Sequence, residues 1–190
     1  KPTTVIRLLA LLIQLYQTQT KTNPIIKLVA PTGKAAMRLT ESIRSAKQGL
    51  NVSDELKQSI PEQASTLHRL LKSNGKGEFK YNRFNPLHLD VLIVDEASMV
   101  DLPLMTRIIR ALPARCKVIL LGDADQLPSV AAGSVLADLA PQRTSQYSKY
   151  NTDYITAVCG ENLPSTKSKQ ALDHVTFLVK SRRFDGEGGM

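Results

Sequence analysis

Aromatic side chains make up only 5% of this 190-residue sequence, and tryptophan is absent. Recognition by stacking therefore rests on few positions; Tyr81, Phe84 and Tyr147, which lie among basic residues, are the candidates. The two cysteines, Cys116 and Cys159, are too few for a disulfide framework or a four-ligand zinc site. A reduced, cytoplasmic setting is the expectation. Neither His88 nor His174 has metal-ligand spacing with the cysteines. No apolar run approaches the roughly 18–20 residues of a membrane span, and Lys1-Pro2-Thr3-Thr4 has no signal-peptide layout. Secretion, membrane anchoring and a disulfide scaffold are argued against together.

Apolar residues reach 42%, enough to bury a core. Twenty-five Lys and Arg against 17 Asp and Glu leave a net charge of +8. That excess fits either a polyanionic partner, nucleic acid first, or a merely soluble basic surface. The chain starts without Met and closes on Gly186-Glu187-Gly188-Gly189-Met190. The expectation is one domain over 1–190, truncated at both ends, with insertions at 49–88 and 141–174.

Apolar residues at three- and four-residue spacing predict a helix over 3–17, with Val5, Leu8, Leu9, Leu12 and Leu15 as its stripe and Ile6 and Ile13 beside them. A strand follows over 25–30, a helix over 34–46, and a short helix around 54–59. Ser65 or Thr66 caps another helix over 66–71, and residues 72–86 read as a loop or small hairpin. Leu89-Asp90-Val91-Leu92-Ile93-Val94 and Lys117-Val118-Ile119-Leu120-Leu121 are near-continuous apolar runs. Such runs mark parallel strands covered on both faces. Helices are expected at 102–112 and 134–139 and a last strand at 175–179; residues 141–170 stay unassigned. Strands alternating with helices predict an α/β domain with a mainly parallel sheet.

Ligands of such sheets sit at the carboxyl ends of the strands, and the unusual residues gather there. Asp95-Glu96 ends one apolar strand. A carboxylate in that place needs a partner; nucleotide-bound Mg²⁺ would be one for Asp95, with Glu96 placed to take a proton from water. The alternative is a plain helix start; the context Leu-Ile-Val-Asp-Glu-Ala-Ser-Met favours the metal. Gly122 frees the chain leaving the next strand, and Asp123 and Gln126 then turn towards the same edge, unless the segment is only a polar turn. Ala30-Pro31-Thr32-Gly33-Lys34 puts Gly and Lys where a strand becomes a helix, a place that attracts phosphate. It lacks full nucleotide P-loop spacing, so it reads as a site for a nucleic-acid phosphate or as an ordinary cap. Lys1 resembles the last part of a P-loop, but Pro2 stands where Ser or Thr should hold the metal. Arg182 and Arg183 either reach a γ-phosphate or sit in a solvated turn. Thr66 and His68 either contact DNA or are structural.

The segments 28–36, 65–71, 94–99 and 121–130 occur in a fixed order. Together they resemble the first motor domain of superfamily 1 DNA helicases, most closely the RecD type, the alpha subunit of exodeoxyribonuclease V. The resemblance implies a RecA-like P-loop fold using ATP and Mg²⁺. It implies Asp95 as metal ligand, Glu96 as the base for water and Gln126 as γ-phosphate sensor. Asp123 would couple that site to DNA, Lys1 would bind phosphate, and Arg183 would reach the nucleotide. Thr32, Lys34, Thr66 and His68 would hold single-stranded DNA. Translocation from 5′ to 3′ and a complex with beta and gamma subunits in double-strand-break repair are implied too. The rival expectation is a DNA-binding or scaffold module with a decayed nucleotide site.

Overall fold

The computed structural model describes residues 2–123, 135–140, 147–166 and 171–178. The chain divides into two compact units, Lys1–Ala137 and Asp138–Met190. The first is built from α1 (Pro2–Thr20), β1 (Ile26–Ala30), α2 (Gly33–Gln48), α3 (Asp54–Ser59), β2 (Ala64–Thr66), α4 (Leu67–Leu70), β3 (Val91–Val94), α5 (Leu102–Ala111) and β4 (Lys117–Leu120). A three-residue 3₁₀ turn, Ala97–Met99, separates β3 from α5, and a short helix α6 (Val135–Leu139) follows.

The four strands pair in parallel in the order β2-β1-β3-β4. Parallel neighbours need a crossover, and helices supply it. β3 is covered on both faces, whereas β4, expected to be covered as well, lies at the edge of the described sheet with Lys117 exposed and Val118 40% exposed. Alternation along β3 divides the core in two. Val91 and Ile93 pack with Ile6, Leu9 and Ile13 of α1 and Leu39 and Ile43 of α2. Leu92 and Val94 face the other way, onto Leu67 of α4 and Met105 and Ile108 of α5. All four β3 residues are fully buried, which is why the sequence there is apolar without polar alternation.

Two details differ from expectation. The buried stripe of α1 is Val5, Ile6, Leu9, Ala10 and Ile13, whereas Leu15 is 47% exposed. The sequence offers two apolar stripes on this helix, and the sheet takes the one that meets β1 and α2. Strand β2 was not foreseen: three half-buried residues, Ala-Ser-Thr, carry no β pattern. Pairing of Leu28 with Ala64, Val29 with Ser65 and Ala30 with Thr66 makes them a strand.

In the second unit, helix α7 (Lys149–Cys159) occupies part of the stretch left unassigned. Ser148 caps it by accepting from the Asn151 amide, and Gly160 ends it in the left-handed region at φ 71°. The Ser148 amide donates to Asp173 at 2.7 Å. That backbone bond, above other causes, holds the Asp173 carboxyl below its usual range. The strand expected at 175–179 is not formed in its described part: residues 175–178 carry no strand pairing, and the Val175 amide instead closes a turn onto Leu172.

Candidate functional site

Register aligns the strand ends. Ser65, Val29, Val94 and Leu120 stand at one level across the sheet. The chain leaves all four strands on the same side, along an edge about 15 Å long at roughly 4.8 Å per strand spacing. Thr66 follows Ser65 directly, and Thr32 comes three residues after Val29. Asp95 follows Val94, and Asp123 comes three residues after Leu120. Seven of the ten expected site residues therefore gather on one edge. Lys1, Gln126 and Arg183 lie outside the described residues.

On the β1–β2 half, two helices start from threonine caps. The Thr32 hydroxyl accepts from the Ala35 amide at 3.1 Å, and Thr66 accepts from Arg69 at 3.2 Å. At α2 this leaves the amides of Gly33 and Lys34 without an intrahelical partner. A Cβ on Gly33 would meet nothing within 4 Å, so the space beside the Gly33 Cα is open. Ala35 and Ala36 pack directly on Ala30; their small size lets α2 start close to the strand end. Lys34 is exposed beside the open amides, and His68 is exposed on α4. This half attracts anions through amides and cations together.

The neighbouring loop, residues 72–86, is tied down on two sides. Arg107 of α5 donates to the Gly77 carbonyl at 2.7 Å and lies 4.8 Å over the Phe79 ring. The His68 ring sits 6.0 Å from the Phe79 ring, tilted 37° to it. Lys72 lies over Tyr81 and Arg83 over Phe84, which is 86% exposed. Tyr147 does not join them as a stacking candidate. It is buried and its hydroxyl pairs with Thr176 at 3.0 Å.

The β3–β4 half carries the carboxylates. The Asp95 amide donates to the Val29 carbonyl at 2.9 Å, and the Asp95 carboxylate accepts from the Glu96 amide at 3.0 Å. Glu96 itself is left-handed, at φ 52° and ψ 39°. That region costs a side-chain-bearing residue roughly 1–2 kcal/mol, and such strain collects at functional sites. The next amide, Ala97, is fixed to the Leu121 carbonyl at 2.9 Å. At Gly122 an added Cβ would meet the Leu136 side chain and stand 3.1 Å from the Ser98 amide, so a larger residue fits only if these neighbours shift. Asp95, Glu96 and Asp123 are half-buried. Among the described residues no group of three or more His, Cys, Asp or Glu could hold a metal alone. This donor set fits Mg²⁺ carried by a nucleotide, which takes one or two carboxylates and leaves the rest to phosphate and water. It does not fit an all-protein cage.

A family model described as AAA domain matches residues 1–132. The chain belongs to this AAA domain family. Its parallel sheet is accordingly of the RecA-like P-loop type, as expected. Relatives narrow the resemblance within the family. RecBCD enzyme subunit RecD of Haemophilus influenzae is 46% identical over 196 residues, covering 100% of this chain and 30% of its own length. RecBCD enzyme subunit RecD of Mycobacterium tuberculosis is 47% identical over 139 residues, covering 73% of this chain and 24% of its own length. The ATP-dependent RecD2 DNA helicase of Deinococcus radiodurans is 42% identical over 115 residues, covering 60% of this chain and 14% of its own length. The RecD-type resemblance read from the four ordered motifs holds, and the chain spans about 30% of the length of the Haemophilus relative.

Within this AAA domain, sequence reasoning missed Glu96's backbone and the Arg107 clamp. The first had no signal, because nothing in Asp-Glu-Ala demands a positive φ. For the second, Arg107 at an exposed position of α5 looks like any solvated helix charge. No helix among the described residues is long and apolar enough to cross a membrane.

Proposed function

We propose that this chain is the first motor domain of an ATP-dependent 5′-to-3′ DNA helicase subunit of the exodeoxyribonuclease V type, acting in double-strand-break repair and recombination. The observation that carries the reading is the level ending of four parallel strands, which collects the acid motifs and the threonine-capped motifs on one edge. The single-domain reading of 1–190 and a cytoplasmic location belong to the same proposal, as do the beta and gamma subunits as partners.

Asp95 would hold Mg²⁺ and Glu96 would accept a proton from water. When bound, the metal supplies charge neutralisation on the phosphates. Asp123 links this half of the edge to the other. Lys1, Gln126 and Arg183 take their phosphate roles from the motifs they match. Thr32, Lys34, Thr66 and His68 would hold single-stranded DNA through its phosphates. The basic and aromatic loop 72–86 would extend that track, since bases stack on rings without regard to sequence.

The test is ATP hydrolysis by the full polypeptide that carries these residues, with and without single-stranded DNA. DNA-stimulated turnover that collapses at least about 100-fold in Glu96→Gln, with DNA affinity kept, is the expected result. DNA binding without turnover would establish the scaffold reading instead.

A further inference from the structure

Ser98 is 2% exposed, and its hydroxyl finds no hydrogen-bond partner among the described residues. Buried polar side chains are normally paired, and the exceptions cluster where strain or function explains them. Packing does not call for the hydroxyl, because alanine would fill the same place without it. The position is telling. Ser98 follows Ala97, whose amide is the strut between the end of β3 and Leu121 at 2.9 Å. On the other flank of that strut stands left-handed Glu96. A strained residue and an orphan hydroxyl thus bracket one interstrand bond. The chain leaving β4 passes close by: a Cβ added at Gly122 would stand 3.1 Å from the Ser98 amide.

We propose that Ser98 is a positioning residue: when the nucleotide site is filled, its hydroxyl donates to the Gly122–Asp123 peptide and so sets Asp123 relative to Asp95 and Glu96. The inference rests on the nucleotide reading above. A shift of the Gly122–Asp123 segment onto the hydroxyl would move Asp123 with it. Ser98 acts through the Gly122–Asp123 segment.

The experiment is steady-state ATP hydrolysis by the full polypeptide carrying Ser98→Ala or Ser98→Cys, beside wild type and Glu96→Gln, with thermal midpoints for each. For Ser98→Ala we expect kcat to fall about tenfold, the worth of one hydrogen bond made in the transition state. KM should stay within about twofold, and the midpoint should hold or rise because a buried orphan is removed. Ser98→Cys, with a weak donor of similar size, should recover part of kcat. Wild-type kcat in Ser98→Ala would overturn the proposal and leave the hydroxyl as a structural leftover. So would parallel losses of kcat and midpoint in both variants, which mean packing alone. If wild type fails to hydrolyse ATP, or Glu96→Gln matches it, the motor reading itself falls and this inference with it.

Discussion

Along the carboxyl edge of the sheet, the β1–β2 half and the β3–β4 half solve opposite problems with the same strand geometry. At β1 and β2 the chain turns at once into helices, and threonines cap them with ordinary extended backbone. At β3 the helix is delayed: a left-handed glutamate and a 3₁₀ turn intervene before Asp101 caps α5. The first arrangement presents unpaired amides and a lysine, and so invites anions. The second presents half-buried carboxylates, and so invites a cation. A nucleotide with its metal needs one half, and a phosphate backbone needs the other. One strand spacing separates Val29 from Val94, and the Asp95–Val29 backbone bond joins the two halves.

The sharpest way to break the contrast is at Glu96. Replacement by glutamine should abolish turnover by at least about two orders of magnitude at unchanged fold. Replacement by glycine should also abolish it, yet raise unfolding free energy by about 1 kcal/mol, since glycine adopts the left-handed region freely. Urea melts beside turnover assays read both effects; a Glu96→Gly protein less stable than wild type would refute the strain. Next come the caps. Thr32→Ala, Thr66→Ala and Asp101→Ala should each cost about 1 kcal/mol of stability. Only the two threonine changes should also weaken single-stranded DNA binding, while nucleotide affinity holds in all three. Lys34→Ala should be smaller still: DNA affinity falls modestly, and the log–log salt slope drops by about one. An unchanged slope would remove Lys34 from the DNA track.

The smallest effect concerns a pair away from the edge. A hydrogen bond and charge from Lys47, at 2.6 Å, hold the Glu62 carboxyl below its usual range, with Arg44 adding to the pull. A carboxylate lowered on folding stabilises at neutral pH, and its contribution is lost as pH falls through the lowered folded value. Thermal midpoints measured from pH 6 down to pH 3 should therefore drop slightly less steeply in Glu62→Gln than in wild type. Identical slopes would make this partly exposed pair energetically silent, as many surface pairs are.

Much of the edge was legible because chemistry and pattern coincide there. Buried parallel strands have to be apolar, so Val91–Val94 announces itself, and a polar cluster after such a run has few structural excuses. Ser65 or Thr66 was read as a cap because a hydroxyl residue before an apolar turn does that anywhere, and Thr66 is the one that caps. What escaped was decided by partners distant in sequence. β2 exists because β1 has a free edge, not because Ala-Ser-Thr prefers extension. The strand expected at 175–179 had the β-branched composition without the partner: Val175 turns back on Leu172. Glu96's left-handed backbone leads into the Ala97 amide, which bonds Leu121, twenty-five positions downstream of Glu96.

The strand order has a consequence for how the domain is made. β3 inserts between β1 and β4, so β1 must wait for a neighbour more than sixty residues later in the chain. During synthesis α1, β1, α2 and β2 can assemble first, with one side of β1 unsatisfied until Val91–Val94 emerges. Such long-range parallel pairing is slow and leaves a sticky strand edge exposed meanwhile. The same late step that seals that edge also delivers Asp95 and Glu96, so a nascent chain acquires its acidic chemistry and its protection from aggregation in a single event.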